Sequence, residues 1–182
     1  MASSQDVAFG RVMALAAVTG MRMALGPALM ASAYRKPGRE ALALAAMGEM
    51  VIDKLPGAPR RSSLMALVPR ALAGFWVARE VAREEHIDSA WVGPAGAAVA
   101  VAAALIAPRV RETLGQSLHV PDSLLGLAED ALAVGVGSLA VGLSAGELKL
   151  VGENAITELR EGRVGPAFAE VRKRYLPNLP IA

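Results

Sequence analysis

Glu49 and Asp53 are acids four residues apart in an otherwise apolar stretch, so on a helix both carboxylates share one face. Pro56 and Gly57 then end that helix. Paired carboxylates at the tip of a short buried helix can bind a cation, relay a proton, or neutralise an arginine such as Arg22 or Arg70. A solvated helix end, with Asp53 beside Lys54, would leave the same pattern. Glu129 and Asp130 are adjacent and therefore point about 100° apart on a helix. An acid held away from water there needs a partner such as Arg109 or Arg111, or a wet cavity. The competing account is an N-terminal acid complementing the helix dipole, with Asp122-Ser123 as the cap. That account suits Asp122 better than Glu129, which lies two turns further in.

Nothing else in the chain offers a reaction centre. Gly142-Leu-Ser144-Ala-Gly146 matches the nucleophile-elbow pattern, but the elbow needs a preceding strand, and here a helical apolar run precedes it. Both histidines, His86 and His119, lie upstream of Ser144 instead of after it. Small-residue packing is the better reading, with Gly142 and Gly146 forming a GxxxG face. His86 and His119 lack ligand spacing, so no metal site is expected. There is no phosphate loop or dinucleotide fingerprint. Cysteine is absent, which excludes disulfides, thiolate catalysis and Cys-ligated zinc. No catalytic residue and no cofactor is assigned.

The candidate charges acquire meaning from the elements that carry them. Arg22 interrupts Val12–Tyr34, Arg70 sits inside Ser63–Ala78, and Glu129 with Asp130 head a run reaching Gly146. The 182 residues are 54% hydrophobic and 20% charged, too apolar for disorder and high for a soluble domain. Long Ala- and Leu-rich stretches without alternation predict helices. Only 4% of residues are aromatic, and the net charge is +2 with arginines scattered among acids, which argues against nucleic acid as a partner. Ala90–Ala107 holds 18 residues without a charge, just enough to span a bilayer. Val12–Tyr34 is longer but holds Arg22 and the Gly26-Pro27 break, and Ala131–Gly146 is clean but short.

Ala41–Lys54 is too short to cross and has basic flanks on both sides, Arg35, Lys36 and Arg39 before and Lys54, Arg60 and Arg61 after. That pattern predicts a re-entrant segment, tolerated only when buried in protein or lining a wet cavity. Trp76 and Trp91 flank the polar connector Arg79–Ser89 and suit aromatic anchors at one membrane interface, the connector then being external. From Glu147 the chain becomes amphipathic and ends in Arg172-Lys173-Arg174, so residues 1–146 are read as a transmembrane domain and 147–182 as a cytoplasmic tail. Met1–Gly10 lacks a basic n-region, so no cleaved leader is expected. A coarse two-fold pseudo-repeat is also visible: Arg22 before the acids Glu49 and Asp53, then Arg109 and Arg111 before Glu129 and Asp130. The expected fold is all-α: a small polytopic helical membrane protein with short broken or re-entrant helices.

Gly20-Met-Arg22, Gly48-Glu49-Met-Val-Ile-Asp53-Lys54-Leu-Pro56 with Pro59-Arg60, and Pro69-Arg70-Ala-Leu-Ala-Gly74 fit one pattern. Gly96-Ala97, Arg109 and Ala128-Glu129-Asp130-Ala131-Leu-Ala133 extend it. Together they resemble an uncharacterised bacterial family of small integral membrane proteins, a domain of unknown function. The resemblance covers roughly Gly20 to Gly146, implies a multi-span protein of the bacterial inner membrane, and supplies no activity.

The leading functional expectation is a small transporter or channel for an ion or small polar solute. Arg22, Glu49, Asp53, Arg70, Arg109, Glu129 and Asp130 would form its binding site or buried charge network. The alternative is a structural or assembly protein whose charges are ion pairs fixing helix register. A lipid-processing enzyme lacks a nucleophile and base, and a soluble helical bundle is the bland alternative to a membrane protein. The expected partners are the lipid bilayer and a small ion or polar solute. GxxxG packing and short length also suit a homodimer.

Overall fold

A computed structural model describes residues 4–52 and 64–163, and among these every regular element is a helix. Asp53, Lys54, Arg60, Arg61 and the basic Arg172-Lys173-Arg174 end of the tail lie outside the described residues. The helices are α1 (Ser4–Met21), α2 (Leu25–Ala33), α3 (Arg39–Ile52), α4 (Leu64–Glu84), α5 (Val92–Leu118), α6 (Asp122–Val141) and α7 (Ala145–Arg160).

The Val12–Tyr34 stretch is not one long helix. It breaks at Arg22-Met23-Ala24, and α2 folds back along α1. Gly26 makes that return feasible: a Cβ there would lie 2.9 Å from the Leu15 carbonyl oxygen and closer still to the Thr19 hydroxyl. At the open end of this hairpin, Arg11 of α1 and Tyr34 after α2 both reach Glu85. The break lies 11 residues beyond Arg11, about 16 Å deeper along α1.

Helix α3 returns beside α2, so that Glu49 comes back to the hairpin tip. Helices α4 and α5 then run antiparallel in close contact through Gly74 and Gly96, where a Cβ on Gly74 would lie 2.8 Å from the Gly96 carbonyl oxygen. Small residues permit this approach, which relies on dispersion and shape more than side-chain bulk. Helix α6 packs across α1 and α2, with Gly137 seated against Val18 and Leu29. The central apolar cluster joins Val12, Leu15 and Val18 of α1 with Leu29 and Met30 of α2, Val77 and Val81 of α4, and Val92 of α5.

Two helices, α5 and α6, are long and apolar enough to cross a membrane. Only 28% of each apolar window is buried within the protein, unlike the core helices of a soluble bundle. Large apolar side chains recur instead on outward faces: Val68, Leu72 and Phe75 on α4, Ile106, Val110, Leu114 and Leu118 on α5, and Leu132, Val136 and Leu139 on α6. Leu124–Asp130 belongs to the first part of α6.

The proposed Gly142–Gly146 packing face does not exist. Gly142 terminates α6 in a left-handed conformation with φ 71°, whereas Gly146 belongs to the first turn of α7. Neither meets another helix. A GxxxG face requires one continuous helix, and the chain turns between these residues. Helix α7 also begins at Ala145, ahead of the expected 146/147 boundary, and packs on α3.

Candidate functional site

Arg22 leaves α1 at its last turn and cannot reach water: its residue is 1% exposed. The guanidinium meets Asp130 of α6, with Nε donating to Oδ1 at 2.5 Å and Nη2 at 2.5 Å from the same oxygen. Asp130 is itself 7% exposed. This is a charge-assisted, desolvated pair between residues 108 apart in sequence. Such a pair gains little net stability over a well-packed apolar replacement, but removing one member strands the other.

Glu49 serves the other side of the same break. Its two carboxylate oxygens accept the Met23 and Ala24 backbone N–H groups at 2.9 and 2.8 Å. These donors lead into α2, where the helix dipole favours negative charge. Arg70 of α4, 8% exposed, brings Nη2 to 3.7 Å from Glu49 Oε1 and donates through Nη1 to its own helix at Ala66 O. Four chain segments thus deliver Arg22, Asp130, Glu49 and Arg70 to the hairpin tip. The expected Glu49–Asp53 pair is described only at Glu49.

Glu129 and Asp130 diverge as their adjacency requires. Asp130 turns to Arg22, while Glu129 turns to α5, 3.4 Å from Arg111 Nη1. Arg111 also grips Asp122 through Nε at 2.7 Å and through Nη2. Gly126 makes space for that guanidinium, since a Cβ there would meet Arg111 Nη1 at 3.3 Å. Of the two arginine partners considered for Glu129, Arg111 is used. Arg109 instead bonds its own Leu105 carbonyl at 2.8 Å in an exposed setting, which removes it from the buried network. These pairings also weaken the pseudo-repeat: Arg22 pairs across the two halves, whereas Arg111 pairs within its own.

A second ionic cluster, at the open end of the α1–α2 hairpin, is absent from the expected site. There Arg11 Nη1 and the Tyr34 hydroxyl donate to Glu85 Oε1, both at 2.9 Å. Lys36 pairs with Glu84 and, at 4.0 Å, with Glu80, which Arg83 also contacts. Burial, then the hydrogen bond to Glu85, pushes the Tyr34 phenol above its ordinary value. The available signal was the opposition of Arg35-Lys36 at one helix end to Glu84-Glu85 at another.

Ser144 caps α7. Its hydroxyl accepts the Glu147 backbone N–H at 3.3 Å and donates to the Glu147 carboxylate at 2.7 Å. Hydrogen bonds from the Ser144 backbone, then its side chain, hold the Glu147 carboxyl below its ordinary value. The Gly-x-Ser-x-Gly spacing is therefore a helix-start signal here. The chain matches no protein-family model, no curated protein and no solved structure.

Proposed function

We propose that this chain is a small membrane transporter or channel whose ion or polar solute passes the tip of the α1–α2 hairpin. One observation carries the reading: a helix breaks among apolar helices, and Arg22, Asp130, Glu49 and Arg70 converge on the break. Broken helices with exposed backbone groups beside ionisable side chains are how membrane proteins build solute sites, because lipid cannot satisfy either group. A tip about 16 Å from the open end would lie near the midplane of a hydrocarbon layer about 30 Å thick. In that setting α5 and α6 are full spans, α1–α2 is the re-entrant element in place of the expected Ala41–Lys54, and the resemblance to small bacterial proteins favours the inner membrane.

Flux of protons, alkali cations and halides into proteoliposomes tests the proposal. Glu49→Gln, and the paired change Arg22→Met with Asp130→Leu that strands no charge, should each abolish a flux that the parent protein supports, while both proteins remain folded in detergent. Unchanged flux in both variants would take the hairpin tip out of the mechanism.

The alternative, a structural or assembly role, is favoured by one specific feature: the charges at the tip already neutralise one another. It predicts no flux for any solute. It also predicts that exchanging the charges, Arg22→Asp with Asp130→Arg, restores the folding that either single change loses.

A further inference from the structure

Glu49 is held at the hairpin tip as a bound ligand would be. Each of its carboxylate oxygens takes one backbone N–H, Met23 at 2.9 Å and Ala24 at 2.8 Å, ahead of the nine-residue α2. Successive amides at a helix start receive the two oxygens of a planar anion in this way. Arg70 adds a cation from a third element, with Nη2 at 3.7 Å from Glu49 Oε1. Nε and Nη2 lie on one edge of a guanidinium, and such an edge can grip a carboxylate at two points. In Arg70, Nη1 donates to Ala66 O, whereas the Nε atom is buried and makes no hydrogen bond.

These donors suit an anion with two oxygens in a plane, and Glu49 fills the place from the end of a side chain. That side chain is 15% exposed and Met23 is 36% exposed, so a solute reaches the donors without opening the bundle. Charge decides what can replace Glu49. A cation finds N–H donors and a guanidinium where it would need acceptors. A free anion beside an ionised Glu49 leaves one negative charge unmatched in an apolar setting, since Arg22 and Asp130 are paired with each other. A carboxylic acid avoids that penalty. It enters neutral, its proton passes to Glu49, and its carboxylate takes the two N–H groups as Glu49 withdraws in the neutral form. One O–H bond breaks on the solute and one forms on Glu49, so the charge at the tip is unchanged. A halide supplies neither the proton nor the second oxygen.

We infer that the hairpin tip binds small monocarboxylic acids, with Glu49 as a tethered occupant that accepts the solute's proton and Arg70 as the cationic wall. The inference rests on the transport reading for its consequence, electroneutral passage of the acid; binding stands on the geometry of the tip. It also accounts for the loss of flux expected of Glu49→Gln. An amide cannot take the proton, nor return as a carboxylate to expel the bound anion, and a solute that cannot leave is not carried.

The probe is sodium formate added to the full chain in detergent, read as a rise in melting temperature over sodium chloride at equal ionic strength. The parent protein should show a saturable rise specific to formate. Glu49→Gln should reach its half-maximal rise at a concentration at least about tenfold lower, because no tethered carboxylate competes. Adding Arg70→Lys to Glu49→Gln should raise that concentration again, since lysine keeps the charge but not the planar edge. Arg109→Gln should change nothing. Should Glu49→Gln fail to fold, Glu49→Asp, one methylene short of the donors, should show the same direction of gain. No formate-specific rise in the parent, or equal half-maximal concentrations in the parent and Glu49→Gln, overturns the inference. Uptake of radiolabelled formate into proteoliposomes, with protein-free vesicles subtracted, separates binding from transport. Formate binding without uptake sustains the site and refutes transport of this class, whereas small-ion flux without formate binding sustains the transport reading and refutes the site. Uptake that follows an imposed membrane potential would refute the proton exchange, and with it the inference.

Discussion

At the open end of the bundle, Arg11, Tyr34 and Lys36 reach Glu80, Glu84 and Glu85; about 16 Å deeper, Arg22 and Arg70 reach Asp130 and Glu49. Both layers join helices through opposite charges, yet their surroundings differ. Arg11 is 44% exposed in its side chain, so water competes for it, while the Arg22 side chain is 2% exposed. An exposed pair contributes about 0–1 kcal/mol and is screened by salt. A buried pair offers small net stability but imposes a large penalty when one partner is lost. The outer layer can therefore drift in composition, whereas the inner layer must be kept or replaced as a unit.

Breaking the inner layer should have the largest effect. Arg22→Met strands Asp130 and should cost about 3–5 kcal/mol in denaturant unfolding from detergent micelles. Arg22→Met with Asp130→Leu should regain most of that stability while losing any flux. A single-variant cost as small as that of a surface pair would remove the distinction between the two layers. Next, Glu49→Ala leaves the Met23 and Ala24 donors without their carboxylate, for about 1–3 kcal/mol. Glu49→Gln keeps an acceptor and should be milder, so its own cost isolates the charge and the difference between the two isolates the hydrogen bonds.

The open end should yield smaller changes. Ser144→Ala removes the α7 cap and should cost about 1 kcal/mol. Because the Glu147 carboxyl is lowered in the fold, its contribution is complete above the ordinary glutamate value, about 4.3, and is lost as pH falls through the folded value. Glu147→Gln should flatten that acid slope; an unaltered slope would assign it to other carboxylates. Arg11→Ala, at an exposed arginine, should cost at most about 1 kcal/mol, and less in 1 M salt. A larger cost that resists salt would place the outer layer with the inner one.

Much of the helical layout was readable along the chain. The uncharged Ala90–Ala107 stretch became the heart of α5, and the 100° divergence of Glu129 and Asp130 sent them to different arginines. Arg22, Arg70 and Asp130, singled out as charges that need shelter, are all buried. Gly142 and Gly146 misled because the four-residue spacing was sound but the helix ended between them. Arg109 misled because spacing shows that a cation lies near an acid in sequence, not whether its helix face points there.

Composition and periodicity alone determined that this chain forms apolar helices carrying ionic groups in their interiors, because helix period and burial cost are local properties of residue type. Only the tertiary structure decided that α1–α2 doubles back, that Arg22 meets Asp130, and that Glu49 caps the break. Those choices depend on which helices lie side by side, and that is fixed by shape matches such as Gly26 against Leu15 and Gly74 against Gly96, spread over residues too far apart for any local pattern to relate.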